Sequence, residues 1–316
     1  MNPLSALYGA AVQLRNRMYN RGVLAARRLQ GPVVSIGNLR VGGTGKTPFL
    51  MLLGELLLER GIGFDVLSRG YRRATAGVAM VDPDGRPEEF GDEPLLIARK
   101  LGVKVFVGED RFRAGEMAEK LCGPQLHLLD DGFQHRSLAR DFDIVMVSDK
   151  DAHDTLLPGG RLREPLSSLA RANAVVLTND TSEAAFPLAG QQVWRVRRDI
   201  VVHEQLEPVF AFCGIARPGE FFRQLQEAGV VLAGTRSFRD HHHYTDGDVE
   251  ELVKAGQQAG ASAFVTTAKD AVNLTQEAAS RLQPLHVAAV RMQLEDAGAA
   301  LGALLAAIAG HKPPSA

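Results

Sequence analysis

Three glycines, a lysine and a threonine crowd one short stretch: Gly42, Gly43, Gly45, Lys46 and Thr47, within VVSIGNLRVGGTGKTPF at 33–49. Glycines let a backbone curl until successive N–H groups converge on an anion. A lysine and a hydroxyl at the mouth of that curl suit the β- and γ-phosphates of a nucleotide and its Mg2+ ion. An apolar run at 33–36 precedes the turn and a helical pattern at 48–60 follows it. That is the strand–loop–helix setting a phosphate-binding loop requires. In this reading Gly42, Gly43, Thr44, Gly45, Lys46 and Thr47 cradle phosphate, with Thr47 also on the metal. The usual spacing asks for a glycine five residues before Gly45, and that position holds Arg40.

A second cluster, Asp130 and Asp131, ends the apolar run in LHLLDDGFQH at 126–135. An acid-ended strand is how nucleoside triphosphatases supply a second Mg2+ contact, and Mg2+ takes only one or two carboxylates. The plainer alternative is an aspartate capping a turn. Asp92 and Glu93 head a helical pattern in GDEPLLIARK at 91–100. They either complement the helix dipole or offer a base to an attacking hydroxyl. The segment GGRLREP at 159–165 carries Arg161, Arg163 and Glu164, read as a bidentate phosphate contact or as a solvated charged loop. Asp240, His241, His242, His243 and Tyr244 form a dense imidazole run. Three adjacent histidines do not share a face, which argues against a zinc site built from them alone. One histidine oriented by a carboxylate could tune a base. TTAKD at 266–270 faintly echoes a base-reading loop.

The elements that must position these groups alternate. Strand patterns at 64–68, 103–107, 126–129, 144–147 and 174–177 are separated by helical ones, and a short hairpin is expected around 78–85. A second series follows a joining ribbon at 193–208, with strands at 209–212, 230–234, 263–267 and 287–290. Such alternation predicts an α/β fold of the P-loop nucleoside-triphosphatase type. Its sheet is mostly parallel with helices on both faces, and a smaller α/β second domain follows. The expected division is a basic amphipathic helix in 1–30, a P-loop domain at 31–200, and a smaller lid or substrate domain at 201–316 joined by a β-ribbon.

The 316 residues suffice for two cores, and 45% hydrophobic with 23% charged is ordinary for a globular protein. The net charge of −1 conceals an asymmetry: no acidic residue precedes Glu55, whereas Arg15, Arg17, Arg21, Arg27 and Arg28 do. Residues 3–29 are expected to be helical, with Leu4, Leu7, Tyr8, Ala11, Leu14 and Met18 forming an apolar stripe flanked by arginines. Such a helix lies on an anionic membrane surface or packs on its own domain. No run reaches the length needed to span a bilayer, and the arginines follow the apolar part, unlike a signal peptide. Cys122 and Cys213 lack metal-ligand spacing and fit a reducing compartment.

Taken in order, SIGNLRVGGTGKTP (35–48), LSRGYRR (67–73), GDEPLLIARK (91–100), LDDGFQHR (129–136), LLPGGRLREP (156–165), FRDHHHYT (238–245) and TTAKDAVN (266–273) resemble the tetraacyldisaccharide 4′-kinase family over nearly the whole chain. These are the lipid A 4′-kinases of Gram-negative bacteria, whose loop also lacks a glycine at position 40. The resemblance implies transfer of the γ-phosphate of ATP to the 4′-hydroxyl of an acylated glucosamine disaccharide 1-phosphate, giving lipid IVA. It implies Lys46 and Thr47 on phosphate and Mg2+, and Asp130 and Asp131 as metal-binding or positioning carboxylates. Glu164 is expected near the metal and Arg163 near phosphate. Asp92 would be the base, assisted by a histidine from the second domain, with His241 favoured and His242 the fallback. Domain closure would bring that histidine to Asp92. The N-terminal helix would dock on the cytoplasmic face of the inner membrane. Neither nucleic acid nor a protein partner is expected. Asn273 stands where a lysine is expected. The competing class is a nucleotide-dependent switch or chaperone ATPase at a membrane surface.

Overall fold

The computed structural model describes residues 3–42, 44–71, 73–178, 181–201 and 208–314. Its strands are Val33–Asn38 (β1), Phe64–Ser68 (β2), Ala79–Met80 (β3), Val105–Val107 (β4), Leu126–Asp130 (β5) and Phe142–Val147 (β6). They continue with Ala174–Thr178 (β7), Gln192–Val201 (β8), Val209–Cys213 (β9), Leu232–Ser237 (β10), Ala263–Thr267 (β11) and Leu285–Leu294 (β12). All join one sheet in the order β10-β9-β11-β12-β8-β7-β6-β1-β5-β2-β4-β3. Pairing is parallel except for β12 with β8 and β3 with β4. The α/β, mostly parallel architecture expected from the sequence is the one observed.

Strand periodicity explains how helices cover both faces. Alternate side chains point to opposite sides of a sheet. Val34, Val66, Leu128 and Ile144 face a core shared with the helices Lys46–Glu59, Asp92–Leu101 and Ala297–Ala309. Val33, Leu67 and Leu129 face the other side, where the helix Arg111–Cys122 packs through Ala114 and Ala118. The helix Lys46–Glu59 buries Phe49, Leu50, Leu53 and Leu57, spaced three and four apart. Each fully buried leucine contributes about 2 kcal/mol. The helix stops because Gly61 takes a left-handed turn and the N–H of Ile62 folds back to the Leu57 carbonyl.

The joining ribbon is the antiparallel pair of β8 and β12, in register from Val196↔Leu294 to Val201↔Ala289. Beyond it, β9 to β12 carry a separate core built on Val209, Ala211, Leu225 and Val265. The closing helix Ala297–Ala309 returns to the first core through Leu301 and Leu304. The unit expected at 201–316 therefore contains a helix that packs on the half carrying β1 to β7.

Two local expectations change. The segment at 78–85 is no hairpin: β3 adds antiparallel to β4 at the sheet edge, and the turn after it leads into the helix Pro87–Phe90. The N-terminal helix spans Pro3–Asn20 rather than 3–29. Gly22 adopts φ 71° and the Val23 N–H caps the Met18 carbonyl, which ends it. Leu4, Leu7 and Leu14 are each more than half exposed. The opposite face is seated on the loops after β5 and β6. There Ser5 Oγ accepts the Gly159 N–H at 3.0 Å, and Tyr8 Oη donates to the Arg163 carbonyl at 3.0 Å. One side of the helix thus packs on the rest of the chain, while Leu4, Leu7 and Leu14 point outward.

Candidate active site

The phosphate loop leaves β1 and enters the helix Lys46–Glu59 directly. Gly45 sits at φ 85°, and a Cβ there would come within 2.7 Å of Met292 Cε. Gly42, at φ 103°, makes the preceding turn. Gly43 lies outside the described residues. The Asn38 side-chain amide donates to Thr44 Oγ1 at 2.8 Å and holds the curl to the strand it left. Lys46 and Thr47 open the helix, where the free N–H groups and dipole favour an anion. Arg40 in place of a glycine is accommodated because its side chain turns away. It is 5% exposed and lies 3.2 Å from Asp151 and 3.0 Å from Asp154, while its backbone bridges to Leu162.

The tandem acids lie beside this loop because β5 is the parallel neighbour of β1, with Asp130 opposite Ile36. Their environments diverge. Asp130 is buried, next to Asp131, and is pushed up to about 6 despite Lys46 and a 3.2 Å hydrogen bond from Ser68. Asp131 is only half-buried, though desolvation still works to raise its pKa. Lys46 at 3.5 Å and a bidentate Arg163 at 2.7 and 2.9 Å outweigh that burial and hold it far below the usual carboxylate range. Arg163 also donates to the Asn38 side chain. Beyond Asp131 a cleft of about 330 Å³ is lined by Arg69, Arg111, His135 and Arg163 among others. Burial and the neighbouring Arg111 push His135 down to about 4, so it is neutral at pH 7.

Asp92 and His241 meet. His241 Nδ1 lies 2.8 Å from Asp92 Oδ2, although 149 residues separate them. Asp92 heads the helix Asp92–Leu101, and His241 sits in the loop after β10. Burial works to raise the Asp92 pKa, but hydrogen bonds from His241 and Asn273 and the charge of Lys269 outweigh it, leaving it below the ordinary value. Asp92 is therefore ionised at neutral pH. The neighbouring Glu93 acts on Asp130 electrostatically, which ties this pair to the tandem acids. His242 turns elsewhere and pairs with Asp248 at 3.0 Å. Among the described residues, the non-glycines at positive φ are Asp131 and His241. Each such conformation costs about 1–2 kcal/mol and gathers at functional sites.

Glu164 departs from its expected place near a metal. Both its oxygens are bound by Arg171, at 2.8 and 3.2 Å, and Oε2 also accepts from Asn16 at 2.6 Å. It is 2% exposed and ties the N-terminal helix to the loop that carries Arg163. Other residues join the site without having been singled out for it: Ser68 on Asp130, Arg111 in the cleft, and Asn273 on Asp92. Lys269, read from sequence only as an echo of base recognition, lies 3.0 Å from His241 Nε2 and 2.9 Å from Glu93. The Asp270 beside it is structural, accepting from Gly214, Tyr244 and Thr267.

A glycine-rich loop at a helix N-terminus, a lysine, acids on the adjacent strand end and a nearby ionised carboxylate are the parts of a P-loop phosphotransferase. A family model described as tetraacyldisaccharide-1-P 4′-kinase matches residues 1–309. The tetraacyldisaccharide 4′-kinase of Koribacter versatilis is 52% identical over 315 residues, covering 96% of this chain and 98% of that one. Its counterpart from Aquifex aeolicus is 37% identical, covering 86% and 88%. A crystal structure of LpxK from Aquifex aeolicus in complex with ATP superposes with a TM-score of 0.81 at 33% identity, covering 97% of this chain and 98% of that one. The chain belongs to the tetraacyldisaccharide-1-phosphate 4′-kinase family, the ATP-dependent kinases of lipid A biosynthesis.

Proposed function

We propose the following division of labour for phosphoryl transfer from ATP to the 4′-hydroxyl of a tetraacyldisaccharide 1-phosphate. The loop amides at 42–45, with Lys46 and Arg163, cradle the phosphates. Asp131 holds Lys46 and Arg163 in place until the nucleotide takes them over. Asp92 accepts the proton of the attacking hydroxyl, and His241 orients it. Phosphoryl transfer passes through a loose transition state, so an ionised, well-placed carboxylate suffices as base even when it is not strongly basic. The observation that carries the reading is the 2.8 Å contact between Asp92 and His241, made across two parts of the chain beside the acids that flank Lys46.

The residues present fit Mg2+. The donors are all oxygen, and Asp130 is a buried carboxylate pushed up to about 6, a charge that a hard cation would neutralise. Asp131 is already neutralised by two cations. Thr47 and Asp130 would hold the ion, which supplies charge neutralisation on the transferring phosphoryl group. Glu164 has no part in that set, because Arg171 and Asn16 occupy it.

The cleft beside Asp131 suits the acceptor headgroup, with arginines and a neutral imidazole for its hydroxyls and phosphate. No helix among the described residues is long and apolar enough to cross a membrane. The exposed Leu4, Leu7 and Leu14 support docking of the N-terminal helix on an anionic cytoplasmic leaflet, where an acylated substrate resides. Residues 31–200 with the closing helix act as the nucleotide-binding unit, and the rest of 201–316 as a lid. The test supplies ATP, Mg2+ and an acylated disaccharide 1-phosphate. A doubly phosphorylated lipid with little free phosphate supports the reading. Steady phosphate release with the lipid unchanged overturns it.

A further inference from the structure

Lys269 touches the ring that touches the base. Its Nζ lies 3.0 Å from His241 Nε2, while Nδ1 of the same ring lies 2.8 Å from Asp92. An ammonium carries only donors. A neutral imidazole has one N–H and one acceptor nitrogen. If Lys269 donates to Nε2, the ring hydrogen must sit on Nδ1 and point at Asp92. We propose that Lys269 is a positioning residue that fixes this tautomer of His241, so that a neutral ring presents Nδ1–H to Asp92. The inference deepens the dyad reading above and rests on it.

The surroundings favour a charged lysine. Burial works to lower its pKa, but Glu93 at 2.9 Å and Asp240 at 3.4 Å outweigh that and leave it above the ordinary value. The groups facing the ring are Asp92 and Glu93 from the first unit, and Asp240 and Lys269 from the second. Tyr71 packs against it with ring centroids 5.6 Å apart. Glu93 and Asp240 stand 4.0 and 3.9 Å from Nε2, farther than Lys269 at 3.0 Å. Both carboxylates are engaged with the ammonium, at 2.9 and 3.4 Å. Lys269 thus selects the tautomer. Because Lys269 also bridges to Glu93, this arrangement exists only when the two units are together.

The test reads the ring directly. The full-length chain is labelled with 15N-histidine, and the His241 signals are assigned with a His241→Gln variant. At pH 7 the wild type is expected to show a protonated Nδ1 and a bare Nε2. Lys269→Met keeps the stem length without a donor. It should change the His241 pattern, toward a mixture of tautomers or a doubly protonated ring. Its kcat should fall roughly 10- to 100-fold, the range for removing a group that orients a functional histidine, with KM for ATP unchanged. Lys269→Arg, which restores a cationic donor, should recover most of the loss. A proton on Nε2 in the wild type, or a His241 spectrum indifferent to Lys269→Met, overturns the proposal. If Lys269→Met does not fold, the wild-type spectrum alone still decides. Full turnover in Asp92→Ala would remove the dyad reading while leaving the tautomer assignment standing, so the two failures are distinguishable.

Discussion

Among the described residues, the two shortest imidazole–carboxylate contacts have second partners of opposite sign. His241 faces Asp92 at 2.8 Å and a lysine at 3.0 Å on its other nitrogen. His127 faces Asp65 at 2.7 Å and a second carboxylate, Glu119, at 3.3 Å. The outer partner of the first ring is a cation. The second is fully buried, and burial alone would lower its pKa, yet the two acids outweigh that and raise it to about 9. His127 is therefore an imidazolium at neutral pH, donating from both nitrogens. The two sites also occupy opposite ends of the sheet. His127 is the second residue of β5, and Asp130 ends the same strand at the phosphate loop. The two rings differ in the sign of the outer partner rather than in the His–Asp contact itself, and the roles proposed for them, proton exchange at Asp92 and a tie between strands at His127, follow that difference.

The largest expected effect separates the two by function. Asp92→Asn keeps the side-chain shape but removes the base. Its kcat should fall about 10²- to 10⁴-fold, the usual contribution of general-base catalysis, with ATP affinity and urea midpoint unchanged. Asp65→Ala should do the reverse. Removing one member of a buried ion pair costs about 3–5 kcal/mol, so the urea midpoint should drop sharply while turnover of the folded fraction stays at the wild-type level. A loss of turnover at constant stability in Asp65→Ala would abolish the distinction.

The two sites were not equally legible. The phosphate loop, the acid-ended β5 and the strand–helix alternation follow from local patterns, since glycine spacing and apolar periodicity act over a few residues. Two strands, at 64–68 and 263–267, begin and end where the pattern places them. The meeting of Asp92 with His241 was expected only through the family resemblance, because nothing local links residues 149 apart. Lys269 and Asn273 were missed as site members for the same reason. The partners of Glu164, placed near a metal only through the resemblance, were equally hidden. Its true partners, Arg171 and Asn16, come from a following 3-10 turn and a helix 148 residues upstream. His127 gave no signal at all: a lone histidine in an apolar strand discloses neither Asp65 on β2 nor Glu119 on the covering helix.

A smaller effect concerns pH. The folded value of His127 lies above its ordinary value of 6.5, at about 9. A group raised on folding stabilises in full below its unfolded value and loses that contribution as pH rises through its folded value. About 3 kcal/mol should therefore be present at pH 6 and fade between about pH 6.5 and 9. The measurement is the unfolding free energy of wild type minus that of His127→Asn across this range, so that other titrations cancel. A flat difference would mean that His127 carries no charge for the two acids to hold, and the contrast between the two rings would vanish.

The smallest effect sharpens the contrast by altering only the outer partner. Glu119 is the more accessible of the two acids, and its Oε1 also accepts the Gly31 N–H at 2.7 Å. In Glu119→Gln the amide oxygen can still accept from Gly31 and from the ring, so shape and hydrogen bonds persist and one negative charge is lost. A charged hydrogen bond exceeds a neutral one by about 1 kcal/mol, and the loss at pH 6 should be of that size. The alkaline decline should also begin at lower pH, because one of the two charges that raise the His127 pKa is gone. Turnover should be untouched, since this end of β5 is remote from the phosphate loop. If stability at pH 6 and the alkaline midpoint both match wild type, Asp65 alone sets the charge on His127. The outer partner would then have no say there, and the argument that Lys269 governs His241 by its sign would lose its counterpart.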